Sequence, residues 1–426
     1  MFALGLLILI AAMAAIFWPS EKGSIGQPVR YSDGTTLTLK EVTYGTVHRY
    51  RSGGFRERIV SLLPRKLAAK YASRRDVLRT DRPSVTFWFD RRGTPAMYGD
   101  LVLCDENGFG IVGDYLMMRL DPPNSTMEGW AFEAWPRRQR TFTVRVYERG
   151  SRYGEATLLG EFTVRNPKPD NYPVWTAPPL PMRATNGDLS VNLFDLTAGV
   201  GHGSLKWKPA LNPTVSQTRA GFRVERNGRP TKEWGIATVE ASDATGNLIR
   251  RLGGTSSEPD AEFAELHPHL WPSESAWKLR VGFSQRSNFV ASELWTLRGI
   301  PLTGTDLTNT LLTQTNLQGA LLQYTGQQRG AGSGDDQRFN FRVTPGRTDY
   351  RVTLVRAVDD NGREATVGGS FEGAVYLGFG SKQDWGFGLR VNTNATSLDL
   401  TLALHQTRYV EFLARPQIIS TNGTGP

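Results

Sequence analysis

Two histidines, His267 and His269, stand two residues apart in a stretch that also holds Glu258, Asp260, Glu262, Glu265 and Glu274. At that spacing both rings point to one face of an extended strand. Neutral imidazoles beside a carboxylate such as Glu265 suit zinc or a similar ion. Pro268 stands between them and breaks strand pairing, and the Trp271-Pro272 corner follows, so an acidic surface loop is the competing reading. The run Asp359-Asp360-Asn361-Gly362-Arg363-Glu364 offers several oxygen ligands to calcium. It lacks the regular spacing and terminal glutamate of a helix-loop-helix calcium site, which favours a hairpin turn.

Other chemistries have less to stand on. Cys104 is the single cysteine, which excludes an intramolecular disulfide, a four-thiolate zinc site and a redox pair. It lies in the apolar run Leu101-Val102-Leu103-Cys104 and reads as a small core residue. No serine occupies a Gly-x-Ser-x-Gly elbow. With 41 acidic residues in the chain, no one pair of carboxylates is singled out for glycoside hydrolysis. No cofactor site is expected.

Aromatics offer a different chemistry. The chain holds 11 tryptophans. Indole rings on a sheet face stack against sugars, so Trp88, Trp130, Trp175, Trp207 and Trp385 are candidate glycan-binding positions, with core packing as the alternative. Trp135, Trp234, Trp271, Trp277 and Trp295 fall at equivalent places of an internal repeat and read as core or corner residues. Trp18 reads as interfacial.

Positive charge is concentrated. The formal net charge is +9, yet residues 49–79 alone hold ten basic and two acidic residues, net +8. A high isoelectric point of this kind describes one segment, and no nucleic-acid partner is expected. Within it Phe55, Ile59, Leu63, Leu67 and Tyr71 recur every four residues, interrupted by Pro64. That spacing predicts an amphipathic helical insertion over 55–75. Arg56, Arg58, Arg65, Lys66, Lys70, Arg74 and Arg75 are its candidate lipid- or anion-binding residues. Each would contribute about 1 kcal/mol at an anionic membrane surface. A solvated basic face is the plainer alternative.

Phe2 to Trp18 is an uncharged apolar run of 17 residues. As a helix it is about 25 Å long, at the short end of a membrane span. Trp18 and Pro19 end it. A retained signal-anchor over 1–20 is expected, in preference to a cleaved leader at Ala12-Met13-Ala14. Few basic residues flank the run, so the positive-inside rule has little to count. A single-pass membrane placement with an extracytoplasmic body, periplasmic or cell-surface, is the expectation, and membrane is one expected partner.

The body carries a threefold repeat. An alternating strand (VTFWFD from Val85, FRVER from Phe222, FNFRV from Phe339) is followed by an aromatic-led strand that runs into an acidic turn. Those turns are Asp105-Glu106-Asn107-Gly108, Asp243-Ala244-Thr245-Gly246-Asn247 and Asp359-Asp360-Asn361-Gly362. A third strand follows (FTVRV from Phe142, WKLRV from Trp277, LDLTL from Leu398). A closing strand then ends in proline: EFTVRNP around Phe162, LWTLRGIP around Trp295 and EFLARP around Phe412. Turn glycines and period-two alternation mark antiparallel hairpins.

The units resemble immunoglobulin-like sandwiches in architecture alone, since the Cys…Trp…Cys signature is absent. Residues 305–324 fall into the blocks TDLTN, TLLTQ, TNLQG and ALLQY. They resemble one coil of pentapeptide-repeat proteins, and a single coil has no neighbour to stack on.

The expected fold is therefore mainly β: an N-terminal transmembrane helix, then three tandem antiparallel β-sandwich domains with a helical insertion in the first. The expected layout is an anchor at 1–20, a first sandwich at 27–165 and a proline-rich linker at 166–181. A second sandwich at 182–301, a third at 302–416 and a disordered tail at 417–426 complete it. The expected role is non-enzymatic: a scaffold, adhesion or binding module of the cell envelope, whose partner is another envelope protein or a glycan. The alternatives are a glycan-binding or glycan-active protein, and a protein that binds anionic lipid through 55–75.

Overall fold

The computed structural model describes residues 25–50, 77–93, 98–112, 126–150, 155–198, 207–208, 218–249, 252–266, 270–271, 273–302, 314–329, 336–345, 349–367, 383–392 and 394–418. They are organised as six β-sheets. Among the described residues the only helical element is the three-residue turn Ala291–Glu293, and no helix is long and apolar enough to cross a membrane.

This corrects the expected class. The described architecture is mainly β, with neither a transmembrane helix nor a helical insertion in it. A single-pass signal-anchored placement at the membrane is therefore not supported. The apolar run 2–18 and the periodic segment 55–75, with Arg56, Arg58, Arg65, Lys66, Lys70, Arg74 and Arg75, lie outside the described residues. The strands Thr36–Arg49 and Val77–Arg92 pair antiparallel up to Arg49↔Val77, so residues 50–76 connect two neighbouring strands of one sheet.

In the first unit, the sheet Val29–Arg30, Thr36–Arg49, Val77–Arg92, Thr126–Phe132 faces a second sheet built on Tyr98–Cys104, Thr141–Arg149 and Ala156–Arg165. Phe87 meets Phe142 and Phe89 meets Phe162 across the gap, at 6.1 and 5.7 Å between ring centroids. Alternation produces this directly: in Thr141–Arg149, Phe142, Val144 and Val146 are buried while Thr143 and Arg145 are half-buried.

The second unit packs a sheet holding Leu189–Ala198, Thr218–Arg226 and Ala261–Leu266 against one holding Trp234–Asp243 and Trp277–Gln285. Phe222 contacts Phe283 and Phe412 across it. In the third, Trp295 meets Phe341 between a three-stranded and a five-stranded sheet.

The acidic turn recurs in one geometry. Asp105, Asp243 and Asp359 each accept, on Oδ1, the backbone N–H of residues two and four further on, at 2.8–3.1 Å. The glycine at the fourth place has φ of 82°, 88° and 76°, a conformation a side chain would strain.

The closing strands are exchanged. Thr141–Arg149 pairs with the chain that follows it, Ala156–Arg165. Its counterpart in the second unit, Trp277–Gln285, pairs instead with Arg408–Ala414, the strand of the EFLARP motif. The LWTLRGIP strand, Leu294–Pro301, crosses to the third unit and pairs with Ser397–Gln406. Residues 294–406 are thus inserted within the second unit, which opens before them and closes after them. The inserted unit has a hydrophobic core of its own, whereas Val410, Phe412 and Ala414 belong to the core of the host.

Strand pairing places three further segments. Gln314–Leu317 and Ala320–Arg329 form a hairpin over the end of the pentapeptide-like stretch, turning at Gln318 and Gly319, both at positive φ. Two pairings are parallel, so the sheets are not wholly antiparallel: Trp207–Lys208 with Ala156–Thr157, and Gln417–Ile418 with Thr197–Ala198. The second of these draws the start of the expected tail into the host sheet.

Candidate binding groove at the first joint

Most of the candidate aromatics are interior. Trp88, Trp130 and Trp385 are 0%, 6% and 4% exposed. The outer face of the Trp88 strand is covered by Met127 and Ala131, which form a second small cluster with it. Trp207 lies in a two-residue strand on the edge of the first unit. Trp175 is half-buried and lines a groove.

That groove is set by the joint between the first two units. The Asn247 amide grips the backbone of Trp135: Nδ2 donates to its carbonyl at 2.9 Å and Oδ1 accepts its N–H at 3.2 Å. Arg137 donates to the same Oδ1 at 2.8 Å, and its guanidinium lies over the Trp135 ring. Burial lowers the pKa of Arg137 from its usual value.

Arg138 reaches the second unit through both oxygens of Glu274, at 2.8 and 3.0 Å, and also donates to the carbonyls of Tyr172 and Pro173. Its pKa is raised, chiefly by the hydrogen bond to Glu274. Ser275 donates to the Trp175 carbonyl at 2.7 Å. The proline-rich linker is thereby strapped along the joint. Trp175 lines a groove of about 340 Å³ with Lys278, Glu411, Phe412 and Leu413. Lys278 and Glu411 pair there at 2.8 Å. An indole beside a neutralised ion pair offers a stacking face together with donors and acceptors for hydroxyl groups.

The remaining sequence candidates do not converge here. His267 and His269 lie outside the described residues. Glu265 sits on Ala261–Leu266 opposite Arg219. Among the described residues no three His, Cys, Asp or Glu side chains are grouped to hold a metal. The acidic turns direct Oδ1 at their own backbone, and burial pushes the Asp105 carboxyl up to about 6. Burial likewise pushes the Cys104 thiol up to about 12, which leaves it protonated and unreactive.

One constellation has no local signature in the sequence. His48 Nε2 lies 2.9 Å from Ser84 Oγ, and His48 Nδ1 lies 2.9 Å from Thr43 Oγ1. Only strand register brings these residues together. The Trp88 indole donates to Thr43 Oγ1 at 3.0 Å, and an indole N–H is a donor only. The consistent chain runs from Trp88 to Thr43, to His48 Nδ1, and from His48 Nε2–H to Ser84. Ser84 in turn donates to Thr80, and Thr80 to the Arg82 carbonyl. Burial lowers the pKa of His48, which keeps the ring neutral. A histidine that donates to serine cannot take its proton. This is a buried structural chain, and it is polarised the opposite way from a nucleophile–base pair.

No known family model matches this chain. No curated protein is similar to it either. Among solved structures, the crystal structure of the conserved domain protein from Bacillus anthracis is similar over 66% of this chain and 84% of that one. The sequence identity is 10% and the TM-score 0.22, an overlap too slight to carry an argument about fold or function.

Proposed function

We propose that the chain is a non-enzymatic scaffold or binding module in which β-sandwich units are held in fixed order by interlocking joints. The exchange of closing strands carries this reading. Two chain crossings join the inserted unit to its host, so the pair resists bending more than units on a single linker would. The Asn247 and Arg138 contacts supply a comparable restraint at the first joint. Nitroxide labels at Thr163→Cys and Val355→Cys would report the distance between the first and inserted units. One narrow distance distribution is expected. A broad one would overturn the fixed-scaffold reading. The buried Cys104 thiol should escape labelling.

A second reading, glycan binding, is favoured by the position of Trp175 above the Lys278–Glu411 pair. Its test is a screen of soluble oligosaccharides by saturation-transfer NMR. Contacts that vanish in Trp175→Ala would support it. Absence of contacts across neutral and acidic sugars would end it.

A further inference from the structure

The second joint, between the host and the inserted unit, gathers buried donors that have no acceptor. Arg351 and His405 stand directly opposite each other on the paired strands Tyr350–Asp359 and Ser397–Gln406. Opposed residues of this kind share a face, with Cβ atoms about 5 Å apart. From there Arg351 reaches into the host, where Nη2 donates to the Ala237 carbonyl at 3.5 Å. Its guanidinium lies over the Trp385 ring, 5.5 Å from the centroid. Among the described residues it makes no ion pair with a carboxylate.

The polar atoms around it are stranded. Arg351 Nε, His405 Nδ1, Thr238 Oγ1, Thr407 Oγ1 and Trp385 Nε1 are all buried and without a hydrogen-bond partner. His405 is 2% exposed and Thr407 6%. The His405 ring is held by Thr353 Oγ1 at 2.9 Å on Nε2 and by Phe289 against its face. When Thr353 donates to Nε2, the ring proton sits on Nδ1, beside the Gln406 backbone but with no aligned acceptor. Thr238 and Thr407 both flank Gly282: Thr238 Oγ1 and Thr407 Cγ2 lie 2.5 and 2.6 Å from the point a Cβ there would occupy. Thr238 follows Ala237, whose carbonyl Arg351 contacts, and Thr407 lies two residues beyond His405, so all four residues come from adjoining stretches of host and insertion.

A guanidinium held largely away from water without a counter-ion is costly, and so is each buried donor left unsatisfied. A water molecule relieves the hydrogen bonds but leaves the charge. An anion with several oxygens relieves both. We propose that Arg351, His405, Thr238 and Thr407 form a buried site for one small inorganic oxyanion of the phosphate and sulfate class, which locks the inserted unit to its host. Burial lowers the pKa of Arg351, and burial together with the Arg351 charge takes His405 down to about 4. Both are the response of cationic groups that have lost water and gained no counter-charge.

The test uses the full chain. Melting is followed in sodium phosphate, in sodium sulfate and in sodium chloride at matched ionic strength. Phosphate or sulfate at saturating concentration should raise Tm by about 2–4 °C over chloride. The same titration should move the His405 imidazole nitrogen resonances in NMR spectra. Arg351→Gln and the near-isosteric Thr407→Val should each abolish the Tm response. An equal Tm in all three salts with unmoved His405 resonances would overturn the proposal. So would an undiminished response in Thr407→Val and Arg351→Gln, which would place the anion elsewhere. Should Arg351→Gln fail to fold, Thr407→Val and the wild-type His405 resonances decide.

Discussion

Asp188 accepts a hydrogen bond from Arg408, a residue 220 positions further along the chain. Asp188 lies in the hairpin turn that opens the host unit, and Arg408 begins the strand that closes it. Arg226 donates to the other oxygen of the same carboxylate at 2.7 Å, and Asn186 donates to the Tyr409 carbonyl at 3.0 Å. This turn therefore clasps the returning strand after the whole inserted unit has intervened.

The clasp has a pH signature. Hydrogen bonds from Arg226 and Arg408 hold the Asp188 carboxyl down to about 2, against an ordinary value of 3.8. A depressed folded-state pKa contributes stability that is present above the unfolded value and lost as pH falls through the folded one. Asp188→Asn should therefore be less stable than the wild type at pH 7. The difference should shrink between pH 4 and 2 and vanish below. Urea unfolding of both proteins across that range measures it, and a difference that stays constant with pH would show that Asp188 acts by shape alone.

Excising the insertion tests the strand exchange. The core of residues 294–406 contains no side chain from outside that range among the described residues. That segment should fold by itself, with a cooperative melt. The host should fold when 294–406 is replaced by a short Gly/Ser turn, because Phe283 already pairs with Arg408 across the gap. A host truncated at residue 293 should not fold, since Trp277–Gln285 would lose one of its two neighbouring strands and Phe222 its contact with Phe412. Near-UV circular dichroism of the three proteins distinguishes these outcomes.

Asn247→Ala should loosen the first joint. It deletes both amide bonds to Trp135 and the acceptor for Arg137, and leaves buried backbone groups unpaired. A loss of about 1–3 kcal/mol is expected. The label distances between the first and inserted units should broaden while each unit keeps its own melt.

Which parts of this were legible in the sequence follows from what is local. The acidic turn was, because the Asp and Gly of a five-residue loop and its own backbone satisfy one another without help from elsewhere. The alternating strands were too, because Phe142, Val144 and Val146 announce their shared face. The partner of each closing strand was not. Leu294–Pro301 and Arg408–Ala414 carry the same kind of alternation, and nothing in either specifies which sheet edge it joins. Trp88 misled for a related reason. It points away from the core that Phe87 and Phe89 enter, and only the pairing with Thr126–Phe132 brings Met127 and Ala131 over it. The His48–Ser84 contact depends on register between strands whose members are 36 positions apart.

The tryptophans separate by energy. Trp88→Ala should cost about 3–5 kcal/mol, the range for emptying a large core site, with a further loss from the hydrogen bond to Thr43. Trp175→Ala should change stability by less than about 1 kcal/mol, since its ring caps a groove and the strap is held through its backbone carbonyl. Denaturant midpoints of the two variants give the comparison. A large loss at Trp175 would make it a core residue and remove the glycan reading with it.

Gly235 is the position where one methyl group should matter most. A Cβ there would fall 1.9 Å from Cζ of Arg286, whose guanidinium lies flat on the glycine. Arg286 is held in that place by both oxygens of Glu262, at 2.7 and 2.9 Å. Glu262 is 6% exposed. The arginine side chain has room to swing outward, so Gly235→Ala should fold. In swinging it abandons a buried carboxylate, and an ion stripped of its partner costs more than the pair was worth when intact. A destabilisation of about 2–4 kcal/mol is expected, larger than that of Arg286→Ala combined with Glu262→Gln, which removes both charges together. Urea unfolding of the single and double variants checks the order. If Gly235→Ala proves neutral, Arg286 does not need the glycine and the pair is held by its strands alone.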